Sequence, residues 1–376
     1  MATIFFGVQG EGRGHAARAL ALVEALRPHH RLVLYANGQA FEMLEPLYVG
    51  SDVELYRLPD VAFRYGPGRR LSYVRTGLGN AHYLWRLRQL VRMVELHMER
   101  EQPDLVLTDF EPVTARAARA AGVPFLSVDH QHFLLTHDLS DLPAHLRRYA
   151  AFMAPFVHAW YQGQTETVVS SFFSAPIKPR WRRCVPIGVL LRREVREASV
   201  EDRDHLVAYV RRSAPRSVLE ALAASRREVR VYGLGERPSV GRLRFRAIDP
   251  HRFVEDLATC EALVTTAGNQ LVGESLYLGK PVLAMPEMGN YEQQINATFL
   301  RRSGAGAAHD MERLGGLDVE RFLDRGPRYR EHIERRRLDG LPRALERIEA
   351  HLQTPSRVLP FAPPAAPAPA PLREAV

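Results

Sequence analysis

Two cysteines, Cys184 and Cys260, are all that the 376 residues contain. That number offers no disulfide framework, and their spacing offers no zinc motif. Lysine is almost missing: of 51 basic residues only Lys178 and Lys280 are lysine, and the rest are arginine. No apolar run approaches the roughly 20 residues that span a bilayer. The first residues, MATIFFGV, lack the basic region of a signal peptide and read as a strand. A cytoplasmic protein is therefore expected. A dinucleotide fingerprint is absent too. Counting G-x-G-x-x-G from Gly10 requires glycine where His15 stands, and counting from Gly12 requires it at Ala17. The second expected strand ends Tyr35-Ala36-Asn37, without the acid that grips a ribose. NAD and FAD are not expected. The one D-x-D, Asp202-Arg203-Asp204, precedes an expected strand instead of following one. It reads as a solvated face, so no metal site is expected.

What is present is a globular composition, 46% hydrophobic and 25% charged, on a chain long enough for two domains. The formal charge of +8 bears on solubility and partners, not on fold. Short apolar runs at 3–8, 31–36, 53–58, 105–109 and 125–129 read as strands. Between the first two, Ala16, Ala19, Leu20, Val23 and Leu26 recur at helical spacing. The second half repeats the theme at 206–210, 229–232, 243–248, 262–266 and 282–285. Strands alternating with helices predict an α/β fold of two doubly wound, Rossmann-like domains facing a cleft. The expected division is 1–187, 188–335, a helix at 336–354 and a Pro/Ala-rich tail at 355–376. Pro186-Ile187-Gly188 is the hinge candidate. The tail cannot bury enough apolar surface to fold.

Residues 262–300 carry the densest signal. Strand, glycine turn at Gly268, helix, strand and polar turn follow in order, and polar residues fall where strands end. Glu274 lies six residues after Gly268. Gly279-x-Pro281 and Pro286 follow, and Glu292, Gln293 and Asn296-Ala297 close the segment. This spacing resembles the donor-sugar signature of GT-B glycosyltransferases, the group that includes MurG and the plant-type UDP-glycosyltransferases. The resemblance implies that Glu274 holds ribose hydroxyls and that Glu292 and Gln293 hold the donor sugar. It also implies a last helix crossing back onto the first domain, and no cofactor beyond a UDP-sugar co-substrate. The plant-type phosphate-binding histidine is replaced by Thr266, and a small hydroxyl residue by Leu271. Phosphate contacts would then fall to backbone N–H groups at Gly268, Asn269 and Gln270 and to the Thr265 and Thr266 hydroxyls. Ile248 is the candidate for main-chain contact with the base.

Gly7-Val8-Gln9-Gly10-Glu11-Gly12-Arg13-Gly14-His15 follows the first strand. It resembles the glycine-rich opening of MurG-type enzymes. By that resemblance Gly12 and Gly14 let backbone approach the donor, and His15 faces the cleft. A general base near neutral pH is a task for histidine; a helix cap is the structural reading of the same residue. Asp109 and Glu111, at the end of an expected strand, would orient His15 or else cap the next helix. His130 and His132, also at a strand end, are candidates for acceptor contact; the pair has no firm third ligand for a metal.

From 63 to 92 arginines alternate with Tyr65, Tyr73, Tyr83 and Trp85 and no acid intervenes. The stretch reads either as a solvated helix face or as a surface for an anionic, lipid-linked or membrane-bound acceptor. No nucleic-acid module accompanies it. The resemblance as a whole implies a metal-independent, inverting transfer from a UDP-sugar to an acceptor hydroxyl. Two rivals share the features: a UDP-sugar 2-epimerase, which needs no acceptor, and a non-catalytic module that binds nucleotide-sugars or anionic polymers.

Overall fold

The computed structural model describes residues 1–59 and 81–353, apart from the side chains of residues 81–84 and of Trp160. The tail at 355–376 and residues 63–80 of the basic stretch lie outside the described residues. Two parallel sheets form the frame. The first has seven strands: β1 (Thr3–Val8), β2 (Arg31–Ala36), β3 (Glu54–Arg57), β4 (Leu105–Asp109), β5 (Phe125–Asp129), β6 (Glu166–Ser170) and β7 (Cys184–Ile187). The second has six: β8 (His205–Tyr209), β9 (Glu228–Tyr232), β10 (Leu243–Phe245), β11 (Ala262–Thr265), β12 (Val282–Ala284) and β13 (Gly306–Ala308). Their spatial orders are β3-β2-β1-β4-β5-β6-β7 and β10-β9-β8-β11-β12-β13. Helices cover both faces, so central strands such as β4 and β5 are buried at every position.

Each order reverses once, between β1 and β4 and between β8 and β11. At such a point neighbouring crossovers leave in opposite directions, and a crevice opens beyond the carboxyl ends of the strands. This placement decides where chemistry sits.

Three strands carry little hydrophobic signal. β6 reads ETVVS, β7 reads CVPI, and β13 is GAA. β7 lies at the sheet edge, where a proline such as Pro186 is tolerated because only one side of the strand must donate. The hinge candidate is thus partly strand. The chain leaves the sheet at Gly188, where a Cβ would lie 2.4 Å from the Leu338 carbonyl oxygen. Gly340 returns the contact, since a Cβ there would lie 2.2 Å from the Gly188 oxygen. The two chain passages between the sheets therefore touch backbone to backbone. The final helix, Leu341–Gln353, buries Leu341, Ala344 and Ile348 in the first sheet's core, and Arg347 pairs bidentately with Glu166 at 2.8 Å.

The helix Ala81–Glu101 buries Leu87, Leu90, Val94 and Met98 against the first sheet and leaves Trp85, Arg86 and Arg88 exposed. Among the described residues no helix is long and apolar enough to cross a membrane. The D-x-D lies outside the cleft: Asp202 pairs with Lys280 at 2.6 Å and Asp204 with Arg227 at 2.6 Å.

Candidate functional site

The helix Arg13–Leu26 begins directly after β1, and the turn into it depends on glycine. Gly12 has φ +86°, and a Cβ at Gly10 would lie 2.1 Å from the Asn37 carbonyl. His15 stands in the first turn, buried, with Nδ1 3.0 Å from Asp109 Oδ1 at the end of β4. Arg18, one turn further, completes the cluster. Its Nε and Nη2 donate to Asp109 Oδ2 and Oδ1 at 3.0 and 2.8 Å, and Nη2 also lies 2.8 Å from His15 Nδ1. Burial pushes the Asp109 carboxyl up, but Arg18 and His15 outweigh it and hold it below the usual carboxylate range. The first crevice therefore holds a preassembled ionic group.

Glu111 does not join it. Its side chain caps the helix Pro112–Ala121, accepting from the Val113 and Thr114 N–H groups at 2.9 and 2.7 Å and from the Thr114 hydroxyl at 2.7 Å. Burial raises its carboxyl above the usual value in spite of these donors. Proline at the first helical position and an acid just before it are the pattern of a helix start, and that role won.

Across the cleft, the helix Asn269–Tyr277 points its N-terminus at the first helix; a Cβ on Gly14 would lie 3.6 Å from Gln270 Cβ. Thr265, Thr266, Gly268 and Gln270 line the cavity here, with Ile248 beside Tyr209 and Phe253. Two non-glycine residues with left-handed backbone lie at the strand ends: Phe110, with φ +55°, lines the cavity, and Ala267, with φ +65°, is buried between the lining residues Thr266 and Gly268. Such strain gathers at functional sites. Glu274 is buried and paired with Arg192, Nε to Oε1 at 3.3 Å and Nη2 to Oε2 at 3.1 Å.

Glu292 opens the helix Tyr291–Ser303 and faces His15 and Arg18 from the opposite wall. Burial raises its carboxyl, with His15 and Arg18 opposing. The Gln293 side chain is engaged with Glu287, accepting from its N–H at 2.8 Å and donating to Oε2 at 3.3 Å. Glu287 in turn holds Arg211 and the Ser213 hydroxyl, at 3.3 and 2.8 Å. Arg211 follows β8 and reaches toward the Gly12 backbone.

Three polar side chains tie the halves together. His130 lies 3.0 Å from the Ser170 carbonyl and 3.1 Å from Asn296 Oδ1. Asn269 bonds the Ser170 carbonyl and the Phe172 N–H, both at 3.1 Å. Burial lowers His130 to about 3, so it is neutral. His130 lines the cavity but is occupied with this clasp; the His132 ring is fully buried against Asp129 at 2.7 Å and is not part of the lining. The cavity wall beyond His130 is apolar, formed by Phe110, Leu134, Tyr149, Met153 and Val157.

Sequence reasoning did not single out Arg18, Arg192, Arg211 or Glu287. In so arginine-rich a chain one arginine carries little signal. Arg18 had one, since at helical spacing it shares its face with the buried Ala21 and Leu22.

The family model for glycosyl transferase family 1 matches residues 2–327. An uncharacterized glycosyltransferase of Methanosarcina mazei is 22% identical over 389 residues, 94% of this chain and 96% of that protein. Among solved structures, Phytolacca americana UGT2, complexed with UDP-2-fluoro-glucose and pterostilbene, superposes with a TM-score of 0.66 at 15% identity, covering 94% of this chain and all of that one. Arabidopsis thaliana UGT89C1 complexed with UDP gives 0.65 at 15% identity over 94% of this chain and 100% of its own. CalG4, the calicheamicin glycosyltransferase, gives 0.64 at 17% identity over 94% and 99%. At these identities the structural likeness speaks for the GT-B fold.

Proposed function

This chain belongs to glycosyl transferase family 1, and we propose that it is an inverting enzyme moving a sugar from a UDP-sugar to a hydroxyl of an apolar acceptor. The observation that carries the reading is the 3.0 Å contact of His15 with Asp109, placed opposite the N-terminus of the helix Asn269–Tyr277. The reaction requires the tautomer in which Nδ1 donates its N–H to Asp109 while the nearby Arg18 Nη2 donates to Asp109 Oδ1; Nε2 is then left to accept the acceptor's proton. The freed oxygen attacks the anomeric carbon from the side opposite the nucleotide. The bond to the diphosphate oxygen breaks and configuration inverts. The departing diphosphate gathers negative charge, which the N–H groups at Gly268–Gln270 and the Arg211 guanidinium would receive. Donor phosphates would lie between two helix N-termini, those at Gly12–Gly14 and at Gly268–Gln270.

Glu292, facing His15 across the cleft, would hold hydroxyls of the donor sugar. Gln293 would act through Glu287, keeping Arg211 in place. The apolar wall at Tyr149, Met153 and Val157 favours an acceptor that brings a flat or lipophilic body with one reactive hydroxyl. The test is a screen of UDP-sugars against pooled phenolic and lipophilic alcohols, with the anomeric configuration of the product read by proton NMR. An inverted product, lost in His15→Ala, is expected. A product of retained configuration, or conversion of the UDP-sugar without an acceptor, contradicts the proposal; the second outcome points to an epimerase.

A further inference from the structure

His15 Nδ1, Arg18 Nη2 and Asp109 Oδ1 form a closed triangle. Nη2 lies 2.8 Å from each of the other two, and Nδ1 lies 3.0 Å from Oδ1. The corners differ in kind. A guanidinium nitrogen only donates, and an ionised carboxylate oxygen only accepts. The imidazole nitrogen does either, depending on its tautomer. With hydrogen on Nδ1, His15 donates to Asp109, but two N–H groups then stand 2.8 Å apart. With Nδ1 bare, it accepts from Arg18, and two acceptors face each other at 3.0 Å instead. One side of the triangle is unsatisfied in either tautomer.

The surroundings favour the bare Nδ1. Asp109 already carries two charge-assisted bonds from Arg18, Nε on Oδ2 at 3.0 Å and Nη2 on Oδ1 at 2.8 Å, so a further donor adds little. Nη2 has two hydrogens, and among the described residues its partners are Asp109 and His15 alone. Arg18 is 3% exposed and stands one turn from His15 on the same helix face, so it cannot swing away. Burial works against its charge, but Asp109, Asp129 and Glu292 outweigh that and hold it protonated. His15 Nε2 is bonded to none of the described residues, and the ring lines the cavity.

Resting on the reading of His15 as the base, we propose that Arg18 is a positioning residue that selects the histidine tautomer. In the ligand-free site it keeps Nδ1 bare and the hydrogen on Nε2, a form that cannot accept a proton from the cavity. An acceptor hydroxyl that donates to Nε2 requires the other form. The Nε2 hydrogen then passes to water, Nδ1 takes one from water, and Nη2 is left to Asp109 Oδ1. The base is completed when the acceptor seats.

The experiment is nitrogen-15 NMR of the full, ligand-free chain with labelled histidine. It is run near pH 8.5, about two units above the unperturbed histidine value, with His15→Ala to assign the ring. Correlations from the ring C–H groups to both nitrogens report which one carries hydrogen. The wild-type protein is expected to hold the Nε2–H form in about 10-fold excess or more, the weight of one hydrogen bond to a charged group. Arg18→Met should reverse the preference to Nδ1–H. Arg18→Lys keeps a cation beside Asp109 without the fork that spans both partners, and should move the same way if the methionine variant unfolds. A wild-type ring in the Nδ1–H form overturns the inference, and so does an Nε2–H form that survives either substitution; neither result bears on whether sugar is transferred. An Nε2–H ring in a protein that transfers no sugar overturns the reading of His15 as the base, and with it the role given to Arg18.

Discussion

At the β1–β4 crevice the polar groups are already tied to one another, Arg18 to Asp109 as an ion pair and His15 to Asp109 through Nδ1. At the β8–β11 crevice a helix N-terminus and the Thr265 and Thr266 hydroxyls line the cavity, beside the ion pairs of Arg192 with Glu274 and of Arg211 with Glu287. The two positions are topologically equivalent, so backbone alone does not separate them. Their side chains do. A fixed ion cluster orients one imidazole and keeps its proton traffic local. An array of N–H and O–H donors suits a large anion that must arrive and leave. In the proposed reaction, proton transfer falls to the first half and donor binding to the second.

The comparison breaks most visibly at Asp109. In Asp109→Asn the amide no longer fixes the Nδ1 proton, and kcat should fall by about 10³-fold, within the range attributed to positioned acid–base groups. His15→Ala should do the same in steady-state turnover. Arg18→Met leaves Asp109 buried without its cation. Urea unfolding should show a loss of about 3–5 kcal/mol, as for other broken buried pairs. Its acid profile should change too. In the wild-type protein the depressed Asp109 carboxyl contributes stability that is present above its unfolded value of about 3.9 and lost only as pH falls through the lower folded value. In Arg18→Met that loss should begin at higher pH.

The smallest effect belongs to Glu292, whose carboxyl is raised by burial. The sign is opposite to that of Asp109. Its contribution is complete below the unfolded value of about 4.3 and is lost as pH rises through the raised folded value. Glu292→Gln should therefore raise the melting temperature in neutral buffer relative to that in acidic buffer. An unchanged difference would remove Glu292 from the desolvated wall opposite His15.

Much of this molecule was legible before its coordinates. Alternating apolar runs and helical periodicity exposed ten strands, because most strands buried on both faces are rich in apolar residues. β13 escaped because Gly306, Ala307 and Ala308 carry no apolar bulk, and β7 because Pro186 reads as a break when the strand's edge position is unknown. Of the candidate site, His15 and Glu274 could be placed at the cleft because each stands at a fixed distance from a glycine turn. Glu111 shows the limit. An acid at a strand end and an acid before Pro112 are the same residue, and only geometry separates orienting a base from capping a helix. His132 was misread for a related reason: a strand end faces the crevice, but the next residues turn inward, and its ring went to Asp129. Arg18 and Arg192 depend on contacts across 91 and 82 residues, which no local pattern encodes.

The division of labour is tested most directly by calorimetric titration of UDP into His15→Ala and Glu274→Ala side by side with the wild-type protein. The account predicts wild-type affinity in His15→Ala, where only proton transfer is removed. It predicts a loss of about 10- to 100-fold or more in Glu274→Ala, as for hydrogen bonds to a charged group. UDP affinity that falls in His15→Ala and survives in Glu274→Ala would contradict it.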